Sequence, residues 1–310
     1  MSLNYSQPEK MGSLRQDDPS VPEIIEDITT FLMVAHIVGL IVFLLTTTKY
    51  FIFIPTILRN TPKKFISRTL FLCGFYSILS ASAYTSMMVP RAFLFCDGIT
   101  LVTFGIAVYE FFCLCIDYAG GETKFITKAN GEEVLSMKTF PFCCCCFFLK
   151  PMTTDKKKFT ILRLMNLQLP ILLMLIYFVV LVIQMEDTAL YHRLSTFILP
   201  FIGVGAIISA WAAEMVMAMF TKVLPGYNIK QKHISVALVL LFCKFQPLIA
   251  QIEFSINGET WQQYPITKGI FSNTIIQLLM IIQMFLLSIW SHCSYKTPSG
   301  RCASKEIDDV

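Results

Sequence analysis

Long apolar runs constrain this chain more than any other feature. Residues 28–48, 69–90, 93–117, 161–185, 194–220, 234–256 and 270–291 are each mostly apolar. Each reaches about 20 residues, the length a helix needs to cross a hydrocarbon core. Hydrophobic residues make up 55% of the 310 residues and charged residues only 15%, with a mean hydropathy of +0.62. A soluble domain carries about 25% charged residues, and no single soluble core could hide this much apolar surface. The reading is therefore an all-α, multi-pass membrane protein with seven transmembrane helices. A secreted mini-protein, a disordered chain, a coiled coil and an ordinary cytosolic enzyme are all excluded at this step.

The distribution of positive charge sets an expected orientation, because loops rich in Lys and Arg stay in the cytosol. Of the 25 Lys and Arg, only Lys10, Arg15, Arg91, Arg193 and Lys268 fall on one side of the alternation, and Lys244 lies within the sixth run. The remainder cluster after runs one, three, five and seven. This predicts an N-terminus outside and a C-terminus in the cytosol. The domain plan is then an extracellular tail over 1–27, a seven-helix bundle over 28–292, and a cytosolic tail over 293–310. Residues 1–27 are polar and carry no basic-then-apolar opening, so the first run is expected to act as an uncleaved signal anchor. Asn4-Tyr5-Ser6 is a glycosylation sequon on the expected outer side.

Between runs three and four lies the one long loop, 118–160, expected in the cytosol. It opens with Gly120-Gly121, a helix stop, and ends on Phe140-Pro-Phe-Cys143-Cys144-Cys145-Cys146-Phe-Phe-Leu149 ahead of Lys156–Lys158. Four contiguous cysteines suit zinc poorly, since a tetrahedral site needs pairs spaced by two to four residues so that the chain can wrap. Flanking aromatics that dip into the interface and lysines that face anionic headgroups fit lipid attachment at Cys143, Cys144, Cys145 and Cys146. An unmodified interfacial loop with reduced thiols is the alternative. The 11 cysteines show no disulfide framework on the expected outer face.

Ionisable groups within hydrocarbon are costly and usually face a bundle interior or a wet cavity. Run three carries Asp97, Thr100, Thr103, Glu110 and Asp117, mostly at helical spacing on one side. Run five places Glu214 on the small-residue line Ala206, Ala210, Ala218, beside a second line, Gly205, Ser209 and Ala213; Glu214 is expected inside the bundle. Run six holds Lys244, Gln246, Pro247, Gln251 and Glu253. Pro247 cannot donate to the carbonyl of Cys243, so a kink is expected there. Depth counted from the cytosolic ends makes a Lys244–Glu214 or a Lys244–Glu110 pair plausible, and such a pair would either neutralise charge in the packing or contact solute. Together Asp97, Glu110, Glu214, Lys244, Gln246 and Gln251 form the candidate solute pathway or buried polar network. Asn273, Gln277 and Gln283 read as interhelical hydrogen bonds, and His36 as a satisfied core histidine.

No phosphate-binding loop, zinc-protease helix or serine-hydrolase signature occurs. The chain is not expected to be an enzyme or to hold a cofactor, a metal or nucleic acid. A seven-helix receptor is disfavoured: run three closes on Asp117-Tyr-Ala-Gly-Gly-Glu122 rather than Asp-Arg-Tyr, and run seven lacks Asn-Pro-x-x-Tyr. That span ending, the cysteine run 143–146, Phe245-Gln-Pro247 and Met88-Val-Pro-Arg91 resemble the organic solute transporter alpha family over roughly residues 28–292.

The resemblance implies a seven-helix subunit with an outside N-terminus that works with a small single-span beta subunit. It implies facilitated diffusion of bile acids, conjugated steroids and related amphipathic anions, mainly at the plasma membrane, and lipid attachment at the cysteine cluster. Gln246 and Pro247 match the family's sixth-span pattern; Lys244 does not belong to it. Homo-oligomerisation and contact with membrane lipids are further expectations. The rival reading is a non-transporting seven-helix protein that organises trafficking or lipid composition through its acylated loop.

Overall fold

The computed structural model describes residues 30–129, 134–135, 152–153, 156–256 and 268–296. The glycosylation sequon at Asn4, the cysteines 143–146 and the C-terminal tail lie outside the described residues. Eight helices are described: α1 (Thr30–Asn60), α2 (Lys63–Met88), α3 (Phe93–Tyr118), the short α4 (Glu122–Ala129), α5 (Lys156–Glu186), α6 (Thr188–Val223), α7 (Ile229–Ile256) and α8 (Lys268–Lys296). A two-residue antiparallel bridge pairs Val134–Leu135 with Met152–Thr153. Among the described residues, five helical segments are long and apolar enough to cross a membrane: α1, α2, α3 with its leading turn, α5 and α8 from Phe271. The chain is thus a helical, multi-pass membrane protein.

Each apolar run maps onto one long helix; runs three to seven lie wholly within theirs, run two outlasts α2 by two residues, and most helices extend past the run at one end. The extension is greatest at one end of the bundle, where α1, α3, α6 and α8 finish and α2, α5 and α7 begin. That end carries Lys49, Lys64, Arg68, Arg163, Lys232 and Lys296, and is called the basic end below. α1 runs on through Tyr50–Leu58 and past Pro55 rather than stopping at residue 48.

α2 and α3 form the centre. α2 lies against α1, α3 and α8, while α3 lies against α2, α5 and α7. The fully buried Leu72, Phe75, Tyr76 and Leu79 of α2 meet Ala107, Phe111, Phe112 and Leu114 of α3 in one core. α1 and α5 are peripheral: Ile37, Ile41 and Ile52 on α1, and Leu164, Met174 and Phe178 on α5, face outward. In water such faces would drive aggregation, whereas in a bilayer they meet lipid tails. Because lipid is as apolar as leucine, association depends on close packing. Two glycines of α3 permit it. A Cβ at Gly105 would lie 3.1 Å from the Cα of Pro170 on α5, and one at Gly98 would lie 2.9 Å from the Tyr177 ring.

The Gly-Gly stop is a Schellman ending. Gly121 N–H donates to the Ile116 carbonyl (3.0 Å) and Gly120 N–H to that of Asp117 (3.1 Å). Both glycines have positive φ, 84° and 108°, which side-chain-bearing residues rarely adopt.

Candidate functional site

The expected polar residues separate into three contact points. The first ties α3, α5 and α7 together in the body of the bundle. Asp97, one turn into α3, accepts a hydrogen bond from the Tyr177 hydroxyl of α5. Gly98 lets the Tyr177 ring lie against α3, which brings that hydroxyl into reach. Lys244 Nζ of α7 lies 3.9 Å from Asp97 Oδ2, and the two side chains are 43% and 27% exposed. At that length and exposure the pair is loose, and it contributes little to holding the helices together. Tyr177 positions the carboxylate; the Lys244 ammonium is left accessible beside it. On the same helix, Gln246 donates through Nε2 to the Ile276 carbonyl of α8 (3.0 Å), while its buried Oε1 has no partner among the described residues. Helix α7 continues through Pro247, where the Cys243 carbonyl has no N–H to accept from. Gln251 lies on α7, and its side chain is outside the described residues.

The second point, at the basic end, pins α2 to α3. Glu110 and Asp117 are seven residues apart on α3 and so share a face. Arg68 bridges them, Nη1 to Glu110 Oε2 at 3.2 Å and Nε to Asp117 Oδ2 at 3.1 Å, and Lys64 adds a 3.6 Å contact to Asp117. The third point joins α6 to α7: His233 Nε2 lies 2.7 Å from Glu214 Oε1 while its ring stacks on Phe111.

These contacts correct the expected pairing. Lys244 meets Asp97, not Glu214 or Glu110. The depth count had started run six at residue 234, but α7 begins at Ile229, so Lys244 lies 15 residues, about 22 Å, along the helix. By the same measure Glu110 and Glu214 are only about 12–14 Å from their helix ends. Glu214 is also less interior than expected, at 37% side-chain exposure. In α6 the buried line is Gly205, Ser209 and Ala213, whereas Ala218 is exposed; the side chains of Ala206 and Ala210 are outside the described residues. Arg68, the partner of Glu110, falls one residue before run two and so counts with the loop charges, and His233, the partner of Glu214, falls one residue before run six; both belong to helices that start earlier than the apolar runs. The i, i+4 pair Lys64/Arg68 facing Glu110 and Asp117 was the available signal.

The remaining polar residues divide. His36 Nδ1 donates to the Leu32 carbonyl (2.7 Å), and Asn273 Nδ2 donates from α8 to the Ser86 carbonyl of α2 (3.1 Å). Gln277, by contrast, bonds within its own helix to Asn273. Among the described residues the cysteines are unpaired, and no cluster of three His, Cys, Asp or Glu could hold a metal.

Five of the six residues of the span ending that carried the resemblance have a structural role visible in their contacts. Asp117 takes the Arg68 and Lys64 charges. The Tyr118 ring packs on Phe65 and Tyr227, Gly120 and Gly121 form the stop, and Glu122 opens α4 and accepts from Thr160 at 3.5 Å. The family model of organic solute transporter Ostalpha matches residues 33–299. The chain belongs to that family. The organic solute transporter alpha-like protein of Drosophila melanogaster is 28% identical over 295 residues, covering 94% of this chain and 87% of the relative. The organic solute transporter subunit alpha of Danio rerio is 24% identical over 261 residues, covering 82% and 79%. No solved structure gives a significant match. The Ostalpha family comprises transporters of organic solutes rather than enzymes.

Proposed function

We propose that this Ostalpha-family chain is a facilitative transporter subunit for amphipathic organic anions or sterol-like solutes of the bile acid and steroid-conjugate type. It acts at the plasma membrane with a single-span beta-type partner. The observation that carries the reading is the loose Lys244–Asp97 pair. A cation midway along an apolar helix, partly exposed and only lightly engaged by its carboxylate, suits the charged head of an amphiphile whose apolar body remains against lipid and helix faces. Asp97, held by Tyr177, shares Lys244 when no solute is bound and yields it when an anion arrives. Gln246 and Gln251 are the further polar residues of α7 assigned to the proposed pathway. In this reading Glu110 and Glu214 are frame residues and do not contact solute.

The layout that goes with it has seven spans, one per long helix, with the basic end in the cytosol and residues 1–27 outside. Lipid attached at Cys143–Cys146 would hold the 118–160 loop at the inner leaflet, a second anchor for a loop that begins with the amphipathic α4. In the proposed mechanism net flux follows the solute's own gradient.

The test is uptake of a labelled steroid sulfate and a labelled bile acid in cells expressing the chain alone and with a single-span partner recovered by co-purification. Uptake above background with the partner supports the assignment. Background uptake under both conditions, with the chain at the cell surface, removes it.

A further inference from the structure

A second polar cluster lies at the basic end between α1, α2 and α8, on the other side of α2 from the Arg68 bridge. Among the described residues, six buried polar atoms from three helices find no hydrogen-bond partner at good geometry there: Lys49 Nζ of α1, Tyr76 Oη of α2, and Ser291 Oγ, His292 Nδ1 and Nε2, and Tyr295 Oη of α8. Tyr76 and Ser291 are fully buried, and His292 is 5% exposed. The atoms are neighbours. Lys49 acts electrostatically on His292 and on the Cys73 thiol, Cys73 adjoins Ser291, and Tyr76 faces Ser291 and Ser235. A second ammonium joins them: fully buried Lys232 of α7 lies 4.8 Å from the Tyr295 ring, 5.0 Å from the Tyr118 ring, and also bears on Cys73.

Buried polar groups are nearly always bonded, and an orphan calls for a physical account. Several orphans facing one another argue for a shared occupant. The chemistry of the set narrows it. The charged members are cationic, the groups that bear on Lys49 are the thiols of Cys73 and Cys293, and the remainder are hydroxyl and imidazole donors. Glu110 and Asp117, the described carboxylates of α3 nearest this end, are committed to Arg68. Water could satisfy the hydroxyls, but it would leave the Lys49 charge uncompensated in a low-dielectric setting. An oxyanion accepts from all of these donors and compensates the charge. The Phe53 ring, stacked on His292 at 4.2 Å, and Phe285, 5.9 Å from Lys49, wall the cluster with apolar surface.

We propose that Lys49, Tyr76, Ser291, His292 and Tyr295, with Lys232 behind them, form an oxyanion-binding site for a carboxylate, sulfate or phosphate group between α1, α2 and α8. In the proposed orientation it lies in the cytosolic half of the bundle, level with the inner leaflet. Two sources could supply the group: the head of a small or amphipathic anion, or the headgroup of an anionic lipid. The site stands on its own residues and does not require Lys244 or the transport reading.

The test uses the full chain in nanodiscs of phosphatidylcholine alone and of phosphatidylcholine with phosphatidylserine, followed by thermal unfolding with inorganic sulfate or a steroid sulfate added. A free anion as occupant gives a saturable upward shift in the phosphatidylcholine discs. A lipid as occupant gives the shift on adding phosphatidylserine and none on adding sulfate. Either outcome supports the site, provided Lys49→Gln weakens the response at least about tenfold, the scale of one lost charge-assisted hydrogen bond, and Lys244→Gln leaves it intact. His292→Phe keeps the stack on Phe53 and serves where Lys49→Gln does not fold. No stabilisation in any arm, an undiminished response in both Lys49→Gln and His292→Phe, or a response abolished by Lys244→Gln overturns the proposal.

Discussion

Removing Arg68 should loosen α2 from α3 by a measurable amount that the geometry sets. Its Nε lies 3.1 Å from Asp117 and its Nη1 3.2 Å from Glu110. Two unit charges at 3.1 Å attract by about 5 kcal/mol at an effective dielectric of about 20. The guanidinium is 31% exposed and Asp117 19%, so desolvation and screening offset most of that. About 1–2 kcal/mol of coupling should survive, above the range of an exposed pair because the fork engages two carboxylates at once. The assay is a double-mutant cycle of Arg68→Gln and Asp117→Asn, read by reversible unfolding in mixed micelles. Lys64 remains beside Asp117 and should recover part of the loss in the single Arg68 variant. The same cycle with Glu214→Gln in place of Asp117→Asn should give no coupling, since His233, not Arg68, partners that residue. Coupling between Arg68 and Asp117 indistinguishable from zero, at a salt concentration near physiological, would refute the pinning role.

Three other outcomes follow from the same geometry and layout. Gly105→Leu should destabilise by about 1–3 kcal/mol, because the added side chain must displace the backbone of Pro170 rather than a flexible chain end; Gly226→Ala, where a Cβ meets nothing within 4 Å, should be near neutral in the same unfolding assay. Replacing Cys143–Cys146 by serine should abolish hydroxylamine-labile lipid label on the protein, and label retained at wild-type level would contradict lipid attachment there. Asn4→Gln should remove a glycosidase-sensitive mobility shift in mammalian cells, and a shift that persists would place the glycan elsewhere.

The spans were legible in the sequence because a run of about 20 apolar residues has few alternatives to a membrane helix. Their ends were not. Hydropathy falls where Lys63, Lys64 and Lys156–Lys158 enter, yet the backbone hydrogen-bond ladder continues through them. That shift of five to six residues changes which side chains can meet. It hid Arg68 and His233 as helix residues, and it placed Lys244 too near the basic end, beside the wrong glutamates. The Schellman ending was readable residue by residue, because only glycine takes two successive positive φ angles without strain. The Asp97–Tyr177 bond was not, since it joins residues 80 apart through the close approach that Gly98 permits. The unpartnered cluster around Lys49 was equally hidden: none of its five residues stands out in sequence, and only the packing of three helices brings them together.

The most direct measurement compares uptake of a steroid sulfate with that of the uncharged parent steroid in Lys244→Gln and Lys244→Arg, each co-expressed with the single-span partner. If Lys244 receives the solute's charged head, the glutamine variant loses roughly tenfold or more of its sulfate uptake. The arginine variant should keep most of it, and neutral steroid flux should change little in either. Sulfate uptake in Lys244→Gln equal to wild type, at equal surface abundance, would contradict the account.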